Sequence, residues 1–165
     1  MTESVIREYE EKDFDRVVQL LRQLQEYIAA LDTENLTGCT PDYGPEELRG
    51  YLKDVTDNEG ACFIGEQAGT IVGFVQGIVW RHDDAAYLRS HTKSAYDGWV
   101  GLLVVDHQVQ REGLGAKLLK RMEEYFKNKG CTSSRIKVFA GNQNAQAFYR
   151  HAGYAERDIE LHKNL

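Results

Sequence analysis

The feature that most constrains the fold is a junction between an apolar run and a helical pattern. The run "GWVGLLVVD" (98–106) is almost entirely apolar, which is typical of a strand buried on both faces. Beyond a short loop, "GLGAKLLKRMEEYFKNKG" (113–130) has apolar residues at helical spacing, and Gly130 suits the C-terminal cap of a helix. A central strand that leads through a glycine loop into an amphipathic helix predicts helices packed on a sheet.

Hydrophobic periodicity and turn residues predict the other elements. Predicted strands cover 4–9, 61–67, 70–80, 98–106, 133–141 and 154–164, and predicted helices cover 14–31, 45–55, 113–130 and 144–153. The order β-α-α-β-β-β-α-β-α-β predicts the α+β class with a mixed sheet. A chain of 165 residues without a repeat or a low-complexity tract is expected to form a single domain over 1–165.

Composition argues against several classes of protein. The net charge of −6 disfavours nucleic-acid binding, which usually needs a basic face, and favours cationic substrates. No apolar run approaches the roughly 18–20 residues that span a bilayer, and the charged start is unlike a signal peptide, so we expect no membrane partner. The three cysteines lack CxxC spacing and the five histidines lack HExxH spacing; we therefore expect no metal site, reduced thiols and a cytoplasmic location.

The glycine loop "QREGLG" (110–115) is compatible with two interpretations. It lacks the third glycine of the dinucleotide fingerprint and the GxxxxGK[ST] pattern of a Walker loop. Gly113 and Gly115 leave their backbone amides open to close approach, and the helix that follows offers its positive end, so the loop suits a pyrophosphate. The alternative is an ordinary tight turn between strand and helix that binds nothing.

Two motifs in order resemble those of one family. Gln110-x-x-Gly113-x-Gly115 matches the [R/Q]-x-x-G-x-[G/A] acetyl-CoA signature of the GNAT N-acetyltransferases. The segment "NQNAQAFYRHAGY" (142–154) is similar to that superfamily's N-x-x-A-x-x-[L/F]-Y-x-x-x-G-[F/Y] pattern. The element order agrees nearly from end to end. The resemblance implies the GNAT acyl-CoA N-acyltransferase fold, with a central mixed, mostly antiparallel sheet of about six to seven strands flanked by about four helices.

The resemblance also implies where acetyl-CoA binds. The central strand would diverge from its neighbour and leave backbone groups of Leu103 and Val105 for the pantetheine arm. The Leu103 N–H would stabilise the oxyanion that develops on the thioester carbonyl. The amides of 110–116 would hold the pyrophosphate. The implied cofactor-binding residues are Leu103, Val105, Gln110, Arg111, Gly113, Gly115, Ala116, Asn142 and Tyr149. Asn142 is equally suited to bind the cofactor arm or to cap the next helix, and Asn144 is a rival for that cap.

Catalysis requires an acid and a base as well as binding. Tyr149 occupies the position of the family's general acid, which protonates the departing thiolate. Many relatives carry an acidic residue near the start of the central strand, where this chain has Trp99, and this difference leaves the base unassigned. Asp97, two residues earlier, is the candidate that we name. Other candidates are Glu66, His82, Asp83 and Asp84.

The resemblance implies transfer of an acetyl group from acetyl-CoA to a primary amine by direct attack in a ternary complex. The acceptor site is expected between the loops 31–45 and 81–97, whose acidic and aromatic residues suit a cation or are simply solvated. The acceptor is a small-molecule or peptide amine that the sequence does not name. Dimers are common in the family, so the resemblance allows a homodimer. The alternative function is a catalytically silent acyl-CoA-binding regulatory module, which Trp99 keeps open.

Overall fold

The computed structural model describes residues 4–81, 96–109 and 112–163 of the chain. The strands are β1 Ser4–Glu8, β2 Ala61–Gln67, β3 Thr70–Arg81, β4 Tyr96–Val105 and β5 Ser133–Ile136. The helices are α1 Phe14–Leu31, α2 Pro45–Asp57, α3 Leu114–Asn128 and α4 Gln143–His151. Short 3-10 turns at Glu11–Asp13 and His107–Val109 precede α1 and follow β4. None of the helices within these ranges is both long and apolar enough to cross a bilayer.

The sheet has the order β1-β2-β3-β4-β5, with the first four strands antiparallel and β5 parallel to β4. One face packs on α1 and α2 through a cluster that includes Leu20, Leu48 and Phe74. The opposite face packs on α3 through a cluster that includes Leu118 and Phe126. The strand patterns are apolar on both faces because each face is covered by helices. The predicted α+β class with a mixed sheet and four helices is thus confirmed.

The predicted number of strands, six to seven, was too high, because the described residues form five. The predicted last strand (154–164) has no ladder over 154–163, where Ile159 and Leu161 are exposed. The strand predicted over 133–141 ends at Ile136. Alternating polar and apolar residues allow a segment to form a strand with one apolar face. They do not supply the neighbouring strand with which it must form hydrogen bonds. Since β5 is only 4 residues long, it offers little edge for a further strand.

Glycines in the sheet set how closely α3 approaches it. A Cβ at Gly98 would lie 2.1 Å from the Phe126 ring, and one at Gly77 would lie 2.6 Å from the same ring. These positions therefore admit no side chain while α3 stays in place. On the other face, Gly101 falls at a β-bulge, since Gln76 pairs with Leu102 whereas the next residue of β3 pairs with Val100. The bulge lies in the middle of the predicted central strand.

An ion pair fixes the first strand to the start of α1. The two terminal nitrogens of Arg7 donate to the two Asp13 oxygens at 2.6 and 2.8 Å, and Arg7 also donates to Glu66. The Asp13 side chain is almost fully buried. The hydrogen bonds from Arg7 are the main cause that holds the pKa of Asp13 below its usual value.

Replacing Arg7 by leucine should lower the free energy of unfolding by about 3 kcal/mol, because it leaves a buried carboxylate without its cation. The lowered folded-state pKa of Asp13 means that this contribution is present above the unfolded pKa of about 3.9 and is lost as the pH falls through the folded value. Urea unfolding at pH 7 and at pH 3 measures the difference. Lys53→Ala, which breaks an exposed pair with Asp57, is the control and should change stability little. A pH-independent cost for the Arg7 variant would contradict the ion-pair explanation.

Candidate active site

The last two strands in the sheet order, β4 and β5, pair over only part of the length of β4. The β4–β5 ladder runs from Asp97 opposite Ser133 to Val100 opposite Ile136. In the described part of the chain β5 reaches no further, while β4 continues alongside β3 to Val105. The second half of β4, which contains Leu103 and Val105, therefore borders a gap in the sheet on the side of β5. An extended ligand arm fits such a gap because strand backbone there can offer hydrogen bonds.

The glycine loop enters α3 with a backbone that favours glycine. Gly113 is the N-cap of α3, with φ +82°, and a Cβ there would have no atom within 4 Å. The space around Gly113 is therefore open, and the positive end of α3 faces it. Ala116 is exposed in the first turn. Gln110 and Arg111, which were predicted to bind the pyrophosphate, lie outside the described residues.

The two sequence motifs meet at Gly115. A Cβ on this residue would lie 3.5 Å from Phe148 Cζ of α4 and 3.7 Å from Val105 Cγ2 of β4. The start of α3, the end of β4 and one face of α4 thus come together, although they are far apart in the chain. Tyr149 belongs to the same core cluster, against which Leu103 and Val105 also pack. The fold therefore brings the predicted cofactor arm, pyrophosphate and acid positions to one side of the sheet.

Tyr149 is a buried phenol on α4. It is 8% exposed, and its ring makes edge contacts with the Phe148 and Tyr154 rings. Burial, with a smaller contribution from Tyr154, raises the pKa of Tyr149. The phenol consequently keeps its proton at neutral pH. The neighbouring Tyr154 has a structural role, since its hydroxyl donates to Glu123 at 2.9 Å and hydrogen-bonds Ser134.

Asn142 caps α4. Its Oδ1 accepts a hydrogen bond from the Ala145 amide at 3.0 Å, as expected for an N-cap. Asn144, the rival for this role, lies inside the helix and its amide donates to Tyr27 instead. The cap occupies Oδ1 of Asn142, so only its amide nitrogen is left for a ligand.

Asp97 lies at the opposite end of β4 from the glycine loop. Ser133 Oγ donates to its Oδ1 at 2.5 Å, and Arg135 pairs with its Oδ2 at 2.8 Å. The residue is 1% exposed. A buried carboxylate held by a cation and a hydroxyl is a poor proton acceptor, because protonation would break the ion pair. Its role as the base stays an untested prediction that these contacts disfavour, and the same contacts tie β5 to β4.

Glu66, another candidate base, lies away from the gap. Glu66 pairs with Arg7 at 2.7 Å near the β1 edge of the sheet. His82, Asp83 and Asp84 lie outside the described residues. In the loop between α1 and α2, Asp32 accepts hydrogen bonds from the amides of Leu36 and Thr37, so it shapes the loop. Among the described residues, no group of three or more His, Cys, Asp or Glu side chains is arranged to hold a metal ion.

Two contacts that position the site are absent from the sequence motifs. Arg16 on α1 pairs with Asp106 at 2.5 Å and donates to the Ile71 carbonyl, which anchors the end of β4 ahead of the glycine loop. Asp106 also accepts from the Gln108 amide. In the sequence, the only sign of such an anchor is that an aspartate, Asp106, directly follows the apolar run of β4, and this is a weak signal. The partner on α1 lies 90 positions away and could not be paired with it from the sequence.

Comparison with known proteins identifies a family and its relatives. The acetyltransferase (GNAT) family model matches residues 21–154. An aminoglycoside N(6')-acetyltransferase type 1 from Stenotrophomonas maltophilia is 27% identical over 84% of this chain and 87% of its own. A thialysine N-epsilon-acetyltransferase from Bos taurus is 23% identical over 90% and 82%.

Solved structures with low identity share the fold. A mutant BH1408 protein from Bacillus halodurans superposes with a TM-score of 0.83 at 17% identity, covering 98% of this chain and 99% of that one. Aminoglycoside N-acetyltransferase AAC(6')-Iy in complex with CoA has a TM-score of 0.69 at 18% identity, covering 100% and 96%. The family model covers most of the chain, and these structures share its architecture. The chain belongs to the acetyltransferase (GNAT) family.

Proposed function

We propose that this protein transfers an acetyl group from acetyl-CoA to a primary amine by direct attack in a ternary complex. The observation that carries the proposal is the meeting of both motifs at Gly115, beside the stretch of β4 that β5 leaves. A thioester arm that follows β4 from this point would reach Tyr149's side of the sheet. The relatives named as N-acetyltransferases support the same reaction class.

The residues present fit acetyl-CoA. The open space at Gly113 and the N-terminus of α3 suit the pyrophosphate, together with the amides of 110–116. Backbone groups of Leu103 and Val105 would bind the pantetheine arm, and the free amide nitrogen of Asn142 would be an additional donor. Acetyl-CoA supplies an activated acyl group to this site. Each of these contacts is a proposal that rests on the shape and polarity of the site.

In the proposed reaction, the neutral amine nitrogen forms a bond to the thioester carbon, and the carbon–sulfur bond then breaks. The Leu103 N–H stabilises the negative charge on the carbonyl oxygen. Tyr149, whose pKa burial raises so that it is protonated at rest, donates its proton to the departing thiolate and regains one from solvent water. The amine loses its extra proton to water, because Asp97 is held in an ion pair with Arg135.

The acceptor is expected to be a small amine. Relatives are named for aminoglycoside and thialysine acetylation, and an acidic chain of net charge −6 attracts cationic molecules. A cytoplasmic location and a homodimer stay predictions from the sequence.

Acetyl-CoA binding and turnover test the function separately. Acetyl-CoA at 100 times its dissociation constant should stabilise the protein by about 2.7 kcal/mol, seen as a rise in Tm. Amine-dependent release of free thiol from acetyl-CoA, measured over a panel of primary amines, reports transfer. Absence of a thermal shift would contradict the proposal. A thermal shift without thiol release from any amine would favour the silent acyl-CoA-binding module, the alternative that Trp99 suggests.

A further inference from the structure

The bulge in β4 lies on the sheet face that α1 and α2 partly cover. Near the bulge this face carries a buried glutamine and two tryptophans. Beyond the side chains that α1 and α2 cover, this face continues along β3 and β4 past Gly101, which is exposed. The next residue of β4 on the same face is Trp99, in the position where many relatives have an acid. Trp80 of β3 packs against it. The face therefore leads from the bulge to a pair of indoles.

Gln76 is the buried polar group at the bulge. The residue is 2% exposed, and its Oε1 has no hydrogen-bond partner among the described residues. A Cβ on Gly101 would lie 2.2 Å from this oxygen, so the carboxamide occupies the space that a side chain at position 101 would take. Leaving a buried acceptor unpaired costs free energy, and such groups often serve a ligand. Gln76 thus places an unused acceptor beneath an exposed glycine.

The indoles of Trp80 and Trp99 lie along the same sheet face as this acceptor. The rings of Trp80 and Trp99 meet edge to face with centroids 5.1 Å apart, and Trp80 is 40% exposed. Residues two apart on one strand face are separated by about 6–7 Å, so Trp99 lies one such step from Gly101. Asp97, two residues before Trp99 on the same face of β4, pairs with Arg135. Aromatic faces attract a positive group.

We propose that Gln76, Trp99 and Trp80 form the acceptor subsite and that it takes an amine with a second positive charge. Gln76 Oε1 accepts an N–H of the attacking nitrogen and orients its lone pair. The indoles hold the second ammonium group by cation–π contact. On β4 the subsite begins at Trp99, four residues before Leu103, and extends past Gly101 toward the position proposed for the thioester carbonyl. Gln76 takes no proton in this scheme; the amine proton passes to water. The inference rests on the proposed acetyl transfer.

A matched pair of amines tests the selectivity. The probes are 1,4-diaminobutane and n-butylamine, which have the same carbon chain and differ in the second amino group. The wild-type protein should acetylate the diamine with a kcat/KM about tenfold higher, as expected for one partly desolvated cation–π contact. Trp99→Leu should bring this ratio close to one, with the diamine losing most. An unchanged ratio in that variant would overturn the role of the indoles.

Two variants test the carboxamide. Gln76→Leu removes the acceptor at similar volume, and Gly101→Ala pushes the Oε1 aside. Each should lower kcat/KM by about tenfold for both amines, while the thermal shift by acetyl-CoA persists. Gln76→Leu should leave Tm unchanged or higher, because it removes an unpaired buried oxygen. The control is Gln19→Leu on exposed α1 surface. Wild-type kinetics in Gln76→Leu would overturn the role of Gln76.

Tryptophan fluorescence tests the subsite without turnover. The chain has two tryptophans, and both belong to the proposed subsite, so the whole indole signal reports on it. In the presence of CoA, 1,4-diaminobutane should change the fluorescence saturably, with an about tenfold weaker response in Gln76→Leu. No change with the diamine would overturn the subsite even if other amines are acetylated. A fluorescence response without any acetyl-CoA thermal shift would overturn the proposed acetyl transfer and support the subsite alone.

Discussion

Replacing Tyr149 by phenylalanine should lower kcat by about 10²-fold or more, the usual contribution of a positioned general acid. The variant keeps the ring and its contacts with Phe148 and Tyr154, and it removes only the hydroxyl. The protein should therefore keep its Tm and its affinity for acetyl-CoA. Steady-state thiol release, together with acetyl-CoA titration by calorimetry, separates the chemical step from binding.

The pH profile sharpens this test. Because burial raises the pKa of Tyr149, its ionisation should not reduce the wild-type rate below about pH 10. Tyr154→Phe is the matched control on the same side of the core. It removes hydrogen bonds to Glu123 and Ser134 and should cost about 1 kcal/mol of stability with kcat nearly unchanged. Equal kcat values for wild type and Tyr149→Phe would show that another group, or water, protonates the thiolate.

Replacing Gly113 by valine should weaken acetyl-CoA binding by about 100-fold, which corresponds to about 2.7 kcal/mol. A branched side chain would enter the open space where the pyrophosphate is proposed to lie. It would also strain a backbone with φ +82°, at a cost of about 1–2 kcal/mol in stability. Isothermal titration with acetyl-CoA measures the affinity, and thermal unfolding measures the strain.

Gly130 provides a control for the strain. It follows the other end of α3 with φ +80°, and a Cβ there would also have no atom within 4 Å. Gly130→Val should thus lose a similar amount of stability and bind acetyl-CoA as the wild type does. Equal affinities in the two variants would show that the glycine loop is an ordinary turn, which is the alternative that the sequence left open.

Secondary structure could be predicted well where one helix or strand determines its own pattern. The helix predicted over 14–31 has the observed bounds of α1, and the hairpin of β2 and β3 turns at the predicted Ala68–Gly69. In each of these elements the spacing of apolar residues shows which face is buried. The buried face packs against the sheet or the helices that the element order already predicts. The prediction was wrong over 154–164, because alternation there has no neighbouring strand to pair with.

The candidate site likewise has features that the sequence predicted and features that only the folded structure shows. The motifs predicted that Gly113, Gly115 and Tyr149 belong to one region, and the contact of Gly115 with α4 is consistent with that region. The sequence left the role of Asn142 open, and the hydrogen bond to Ala145 identifies it as the cap of α4. Asp97 was named as a base from its place on the strand alone. Its ion pair with Arg135 depends on β5 and was not readable from position.

The sequence by itself determined the order of elements as far as α4, the family and the two motifs, because these are properties of residues close together in the chain. Only the tertiary structure decided the partners of buried polar groups. Arg7 meets Glu66, Arg16 meets Asp106, and Gln76 lies under Gly101 because strands and helices distant in sequence come into contact. The cost of burying a charge or an amide depends on those partners. The roles of buried polar groups can therefore be assigned only from the folded structure, where their partners are known.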